Sequence, residues 1–289
     1  MKSIGILMNT GKEQVTDLLP RLSAEAERLG VELSTCQRIE PVPSGWRVVA
    51  EDQFESGIEA LVTLGGDGTL LQAARLLKGK EIPVLGVNLG RLGFLTSATE
   101  AQLETGLRAL VSGHYQTSKR VMLEAFLNRA TPTTGSSRRL FALNDIVLGW
   151  GQSTRIIALD VTINDEAVTT YRCDGIIVST PTGSTGHSLS AGGPILHPDT
   201  NALLMNVICP HTLSARPLVM PEDARISITV AQSGKDLLLS VDGQDADALG
   251  CGDTITVRKS ARSFHLVHLD HYHYFSVLRN KLQWSGSTH

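Results

Sequence analysis

The 289-residue chain is 42% apolar and 19% charged. That is enough apolar surface for a large core, and it excludes a disordered or fibrous protein. Lys and Arg total 26 against 29 Asp and Glu, a net charge of -3, so no excess positive charge is available for the phosphate contacts on which nucleic-acid affinity rests. The length fits about two domains of ordinary size.

No apolar run approaches the roughly 18 residues of a membrane-spanning helix. The N-terminal stretch Ile4 to Met8 turns polar too soon for a signal-peptide core. Cys36, Cys173, Cys209 and Cys251 lie far apart with no paired spacing. That pattern is expected of reduced thiols in a cytoplasmic protein rather than of a disulfide framework or a zinc knuckle.

In chain order, Ile4 to Met8 reads as a short buried strand. Val15, Leu18, Leu19 and Leu22 recur at helical spacing, with Gly30 placed to stop the helix and Pro20 predicting a kink or a later start. Leu61 to Leu64 reads as a second strand, followed by Gly65-Gly66-Asp67-Gly68 and a helical stretch through Leu77. Pro83 to Val87 gives a third strand. Leu103, Leu107, Leu110 and Val111 mark another helix, with Ser97 to Glu100 as its expected capping box. This alternation predicts an open parallel α/β sheet with ligands where strands end and loops begin. After about residue 118 the period changes to two. Leu159, Val161 and Ile163 precede an Asn164-Asp165 turn, and the runs Ile226 to Val230, Leu237 to Val241 and Ile255 to Val257 also alternate. These runs predict a β-rich, sandwich-like second domain. Thr131 to Ser137 reads as an exposed hairpin loop. The expected division is 1–118 as the α/β domain, 119–270 as the β-rich domain and 271–289 as a segment with a short helix returning to the first.

Two clusters could carry chemistry. The turn Gly65-Gly66-Asp67-Gly68 sits where a strand gives way to a helix. Its glycines let the backbone turn sharply and bring N–H groups to a phosphate beside the positive end of the helix. A carboxylate in such a loop repels phosphate unless it binds Mg²⁺ or accepts a proton; a tight turn with a capping Asp is the structural alternative. The dinucleotide GxGxxG and the Walker GxxxxGK[ST] are both absent. The second cluster runs from Asp174 to Pro194, a short apolar strand entering a loop rich in Gly, Ser and Thr. Its neighbouring Ser and His residues raise a hydrolase reading, but no GxSxG elbow is present.

Together these clusters resemble the NAD kinases, which transfer a phosphoryl group to the adenosine-ribose 2′-hydroxyl of NAD to make NADP. Gly65 to Gly68 matches the catalytic loop, of which lipid kinases and phosphofructokinases carry close versions. Gly86 to Thr96, Thr180 to Thr185, Ser190 to Pro194, Leu213 to Leu218 and Val241 to Gln244 extend the match over nearly the whole chain. The resemblance implies that Asp67 accepts the 2′-hydroxyl proton, with Gly68 as its neighbour against the substrate, and that Asn144 and Asp145 hold the adenosine end of NAD. It further places Arg155, Arg172, Asp174, Gln244 and the segment Thr185-Gly186-His187-Ser188-Leu189-Ser190 at the ligand. A divalent metal, Mg²⁺, is implied with the donor, ATP or polyphosphate, and a dimer or tetramer as the assembly.

Two departures stand out. The family usually has Glu at position 145, where Asp is one methylene shorter, and Ala-Tyr at 186–187, where this chain has Gly-His. Imidazole can still stack but covers less area than a phenol and ordinarily titrates near pH 6.5. His265, His268, His271 and His273 lie close together in sequence but span a strand-like segment and its exit, so no metal site is assigned to them. Trp46, Trp150 and Trp284 read as packing residues. A lipid kinase of the diacylglycerol or sphingosine type, which shares the glycine loop, and a non-catalytic NAD(P)-binding sensor are the alternative functions. A membrane surface is not expected, and an intact Asp67 argues against a sensor.

Overall fold

A computed structural model describes all residues except 91–92, 132–137, 151–155, 233–236, 270–271 and 285–289, and within strands leaves aside the side chains of 150, 245 and 246. The chain forms two compact units, Met1–Lys119 with Phe264–His289, and Arg120–Ser263.

In the first unit β1 (Ser3–Met8), β2 (Glu32–Thr35), β3 (Trp46–Val48), β4 (Ala60–Gly65), β5 (Pro83–Asn88) and β6 (Ala98–Thr99) alternate with α1 (Gln14–Leu29), α2 (Glu51–Phe54), α3 (Asp67–Leu76) and α4 (Leu103–Ser112), the apolar runs being β1, β4 and β5. The pairing is parallel in the order β3-β2-β1-β4-β5, with β6 and the segment His265–Leu266 also parallel to β5. This is the open parallel sheet that the alternation predicts. Strand order reverses between β1 and β4, and the carboxyl ends of the strands flanking such a reversal are where open α/β sheets hold ligands. Ile4, Ile6, Val62, Leu64 and Leu85 from the strands pack against Leu18, Leu22 and Leu107 from the helices, each contributing roughly 1.5–3 kcal/mol by its burial. A C-terminal helix, Tyr274–Leu282, belongs to the same unit and buries Val277 and Leu278.

Two local expectations need correction. Helix α1 runs through Pro20 as one element. Pro20 and Thr16, whose carbonyl loses its partner, are both exposed, so water can satisfy that carbonyl. The helix does stop at Gly30, in the left-handed region at φ 65°, with the N–H of Val31 on the Ala26 carbonyl at 3.0 Å. The capping box lies later than Ser97 to Glu100: Thr99 and Gln102 form it, with the Thr99 N–H donating to Gln102 Oε1 at 3.0 Å. Ser97 instead donates its hydroxyl to the Val267 carbonyl.

In the second unit the strands are β7 (Gln116–Asn128), β8 (Arg138–Ala142), β9 (Asp145–Trp150), β10 (Ile157–Ile163), β11 (Glu166–Cys173), β12 (Gly175–Ser179), β13 (Ala202–Ile208), β14 (Leu218–Pro221), β15 (Ile226–Gln232), β16 (Leu237–Val241), β17 (Gln244–Leu249) and β18 (Thr254–His268), some of which begin or end outside it; the predicted period-two runs lie in β10, β15, β16 and β18. One antiparallel sheet has the order β14-β13-β12-β9-β16-β17, and β11-β10-β15-β18 pair in sequence in another. Their apolar faces, including Ile146, Leu148, Ile176 and Val178 from the first and Leu159, Ile226 and Ile228 from the second, share one core. The Asn164-Asp165 turn closes the β10–β11 hairpin with φ of 51° and 68°, the left-handed pair that two-residue hairpin loops favour. The predicted loop Thr131 to Ser137 lies, from residue 132 on, outside the described residues; the strands beside it pair antiparallel.

Candidate active site

Strand β4 ends at Gly65 and α3 begins at Asp67, so the Gly-Gly-Asp-Gly turn is a strand-to-helix junction beside the sheet reversal. None of its three glycines adopts a left-handed φ, which corrects the sharp-turn rationale. A Cβ at Gly66 or Gly68 would meet nothing within 4 Å; what the missing side chains provide is open space. That space is a pocket of about 410 Å³ lined by Met8, Asn9, Thr10 and Lys12 after β1, by Gln37, and by Gly66, Gly68, Thr69 and Gln72. The N-cap of α3, Gly66, contributes no side-chain cap, so the positive end of the helix opens on a polar cleft. The Lys12 ammonium donates to the Leu89 carbonyl at 2.7 Å, which leaves two of its three donors available.

Asp67 is half-exposed. Its Oδ2 accepts the Phe94 N–H at 2.9 Å and its Oδ1 the Leu95 N–H at 3.0 Å. Each oxygen keeps a second lone pair. The block Gly86 to Thr96 is thereby tied to the glycine turn, although Arg91 and Leu92 within it lie outside the described residues. Gly93 donates its N–H to Thr96 Oγ1 at 2.8 Å.

In the second unit the registers Ser179↔Asp145 and Val241↔Ile146 bring the start of β9, the exit of β12 and the β16–β17 turn to one end of a sheet. Asn144, Asp145, Gln244 and the loop after Ser179 gather there. The Asn144 carbonyl accepts the Thr180 N–H at 2.9 Å. A Cβ at Gly183 would lie 2.1 Å from that same carbonyl oxygen, so only glycine fits at this contact. Asp145 is buried. Burial and the nearby Asp242 carboxylate push its carboxyl up to about 7. His187, Ser190 and Gln244 are exposed, and Thr185, Gly186 and Leu189 half-buried. Ser188 differs from its expected role at the ligand: it is fully buried, its hydroxyl has no partner, and its carbonyl accepts the Gly193 N–H at 2.8 Å. It supports the loop from inside.

The other expected residues sit elsewhere. Asp174 and the exposed Arg172 lie at the opposite end of β12, where Gly175 pairs with Gly149, about 14 Å along the strand from Ser179. Asp174 hydrogen-bonds the exposed Cys209 thiol and raises its pKa. Arg155 lies outside the described residues. The hydroxyl of Ser184 donates to the Pro181 carbonyl at 2.6 Å, a structural bond rather than that of an activated nucleophile. His268 pairs with Ser118 Oγ at 2.8 Å and stacks on Tyr272, and His265 lies 3.8 Å from Glu81; His271 is outside the described residues. Among the described residues no group of three or more His, Cys, Asp or Glu side chains could hold a metal. All four cysteines are free. Trp46 is buried, with its Nε1 donating to Ser23 Oγ at 2.9 Å, whereas Trp284 is exposed rather than packed; the side chain of Trp150 is outside the description.

Two side chains with a part here, Lys12 and Asp242, carry only an indirect signal in the sequence: Lys12 follows a strand end, and Asp242 falls inside a motif block.

The family model described as ATP-NAD kinase N-terminal domain matches residues 4–115, and that described as ATP-NAD kinase C-terminal domain matches residues 143–269. An NAD kinase of Heliobacterium modesticaldum is 41% identical over 287 residues, covering 98% of this chain and 99% of its own length. One from Magnetococcus marinus is 39% identical over 289 residues, covering 99% and 94%. Among solved structures, yeast NADH kinase complexed with NADH aligns with a TM-score of 0.89 at 29% identity, over 100% of this chain and 89% of that one. An NAD kinase from Archaeoglobus fulgidus in complex with ATP aligns with a TM-score of 0.74 at 26% identity, over 99% and 100%.

Proposed function

The chain belongs to the NAD kinase family, and on that premise we propose that it transfers the terminal phosphoryl group of ATP or polyphosphate to the adenosine-ribose 2′-hydroxyl of NAD, making NADP. The observation that carries the reading is the pocket at the glycine turn. Gly66 and Gly68 are demanded neither by backbone conformation nor by a crowding neighbour, yet both line it. Bare backbone at a helix N-terminus is what a phosphate oxygen needs for close approach to N–H groups. Lys12 adds a positive charge with donors to spare.

The transition state of phosphoryl transfer is loose, with charge spread over the transferred oxygens, so positioning and electrostatic stabilisation carry most of the catalysis. The helix end and Lys12 would stabilise that charge. Asp67, fixed by two loop amides, would align the 2′-hydroxyl through a remaining lone pair and take its proton late, with Gly68 beside it. Mg²⁺ enters with the donor as part of the substrate. Its ligands are ordinarily phosphate oxygens, waters and one or two carboxylates, a part the half-exposed Asp67 fits.

Asn144, Asp145, Gln244 and Thr185 to Ser190 would hold the dinucleotide, Ser188 through the loop it supports, with Arg155, Arg172 and Asp174 as further contacts. The protein would act in the cytoplasm as a homo-oligomer. No helix among the described residues is long and apolar enough to cross a membrane, and the relatives give no support to a lipid kinase or a sensor. The test is purified protein with Mg²⁺, NAD and either ATP or polyphosphate, scored for NADP with an NADP-specific dehydrogenase. NADP formed with either donor is the expected result; folded protein that makes none with both overturns the proposal.

A further inference from the structure

Three successive backbone N–H groups converge on one side chain in the second unit. Asp242 Oδ2 accepts from Leu143 at 2.9 Å, and Oδ1 accepts from Asn144 at 2.7 Å and Asp145 at 3.2 Å. The Asp242 N–H donates in return to the Asp145 carbonyl at 3.0 Å. Asp242 is buried and lies across 97 to 99 residues of chain from its partners. Nothing in the hairpin itself calls for a carboxylate. Asp242 and Gly243 form the two-residue β16–β17 turn with φ of 50° and 74°, and Asn-Gly satisfies such a turn at least as well as Asp-Gly.

We propose that Asp242 is a positioning residue for the dinucleotide, holding the Leu143–Asp145 backbone so that the Asn144 and Asp145 side chains present one fixed arrangement to NAD. The inference rests on the assignment of Asn144 and Asp145 to the dinucleotide. Hydrogen bonds from backbone N–H to a carboxylate are among the stronger ones in proteins. Three of them on a stretch of three residues remove its freedom before the ligand arrives, so that less ordering is left for binding to supply. Gly183, seated on the Asn144 carbonyl, and Thr180, whose hydroxyl donates to the Leu143 carbonyl at 2.7 Å, close the other side of the same stretch. The carbonyls are thus held by the loop after β12 and the N–H groups by Asp242.

Asp242→Asn separates this role from the turn. It leaves the preferred Asn-Gly pair, but sets an amide NH₂ against N–H groups that need an acceptor. Steady-state kinetics with NAD and ATP varied separately provide the measurement. The expected result is a KM for NAD raised about ten- to a hundredfold, with the KM for ATP within about twofold and a thermal midpoint that is lowered but still well above the assay temperature. A merely structural role would lower the active fraction, and with it the apparent kcat, while leaving both KM values at the parent level; that result overturns the proposal. Should Asp242→Asn fail to fold, Asp242→Glu keeps the acceptors but shifts them by one methylene, and the same split between the two KM values is required of it. Asn144→Ala is the reference. If it leaves the KM for NAD unchanged, the site assignment itself fails; if it raises that KM while Asp242→Asn does not, the positioning role alone fails.

Discussion

A Cβ atom at position 93 would lie 1.9 Å from Oδ1 of Asp67 and 2.5 Å from its Cγ, so Gly93 is the only residue that leaves the carboxylate where it accepts the Phe94 and Leu95 N–H groups. Gly93→Ala must turn Asp67 away or push the loop outward, since overlap at that distance cannot be absorbed. Displacement of a reacting group by about 1 Å is enough to cost on the order of 10²-fold in rate, and an overpacked contact costs about 1–3 kcal/mol of stability. The variant is expected to fold with a lowered thermal midpoint and to lose at least that much kcat, read in the NADP-forming assay. Parent-level turnover in a folded Gly93→Ala protein would detach Asp67 from the reaction.

Asp67→Asn tests the same carboxylate without changing its size. The amide keeps one acceptor oxygen and opposes an NH₂ to the second loop N–H, a loss of about 1–3 kcal/mol in stability. Its capacity to take a proton disappears, for an expected drop in kcat of about 10²–10⁴-fold. The KM for NAD should stay within about threefold. A drop confined to KM would instead make Asp67 a binding residue.

Three strands of the first unit, β1, β4 and β5, are legible as short apolar runs and fall within a residue or so of the expected spans; β2, β3 and β6, with polar residues among two to four positions, carry no such signal. Turn chemistry was equally readable: Gly30 ends α1, and Asn164-Asp165 closes a hairpin. The capping box shows where local reasoning stops. Ser97 to Glu100 and Thr99 to Gln102 both fit the pattern, and the choice is made by a carbonyl 170 residues away that takes the Ser97 hydroxyl. The role of Asp242 is hidden in the sequence for the same reason. An Asp-Gly between alternating strands is already explained as a turn, and its three amide partners are distant in sequence. Of the two reasons the sequence offers for the glycines at 66 and 68, a sharp turn and close approach to a phosphate, the first does not hold, because a sequence does not distinguish a glycine that bends the chain from one that leaves room beside it.

Lys12 has a partner 77 residues on, the Leu89 carbonyl, and lines the same pocket as Gly66 and Gly68. Lys12→Gln keeps a donor for that carbonyl and removes the charge. Because an ammonium–phosphate contact is charge-assisted, the KM for ATP is expected to rise about tenfold and the KM for NAD to hold within about twofold. Salt provides an independent check: raising ionic strength should weaken ATP binding more in the parent than in the variant, since only the parent has the contact to screen. Equal sensitivity to salt would place the donor phosphates away from Lys12.

The buried Asp145 carboxyl supplies a prediction with a definite sign. Its pKa is raised from 3.8 to about 7, by burial first and by the Asp242 charge second. Between those two values the folded state binds a proton that the unfolded chain has released, so stability falls as pH rises through that interval. The contribution is fully present below the unfolded value, is lost through the folded value near 7, and is flat above it. This is the reverse of an ordinary ion-paired aspartate. Asp145→Asn cannot ionise and is nearly isosteric, so it should escape the loss. At pH 5, part-way through that interval, the variant is expected to be already somewhat the more stable, by less than at pH 8. At pH 8 the variant should be the more stable by about 1–3 kcal/mol, the scale on which replacing buried charge by neutral groups has been found to stabilise proteins. Thermal denaturation across pH 5 to 8 measures it. A constant gap between the two proteins over that range would mean that Asp145 is ionised throughout, and its burial would then require a cationic partner.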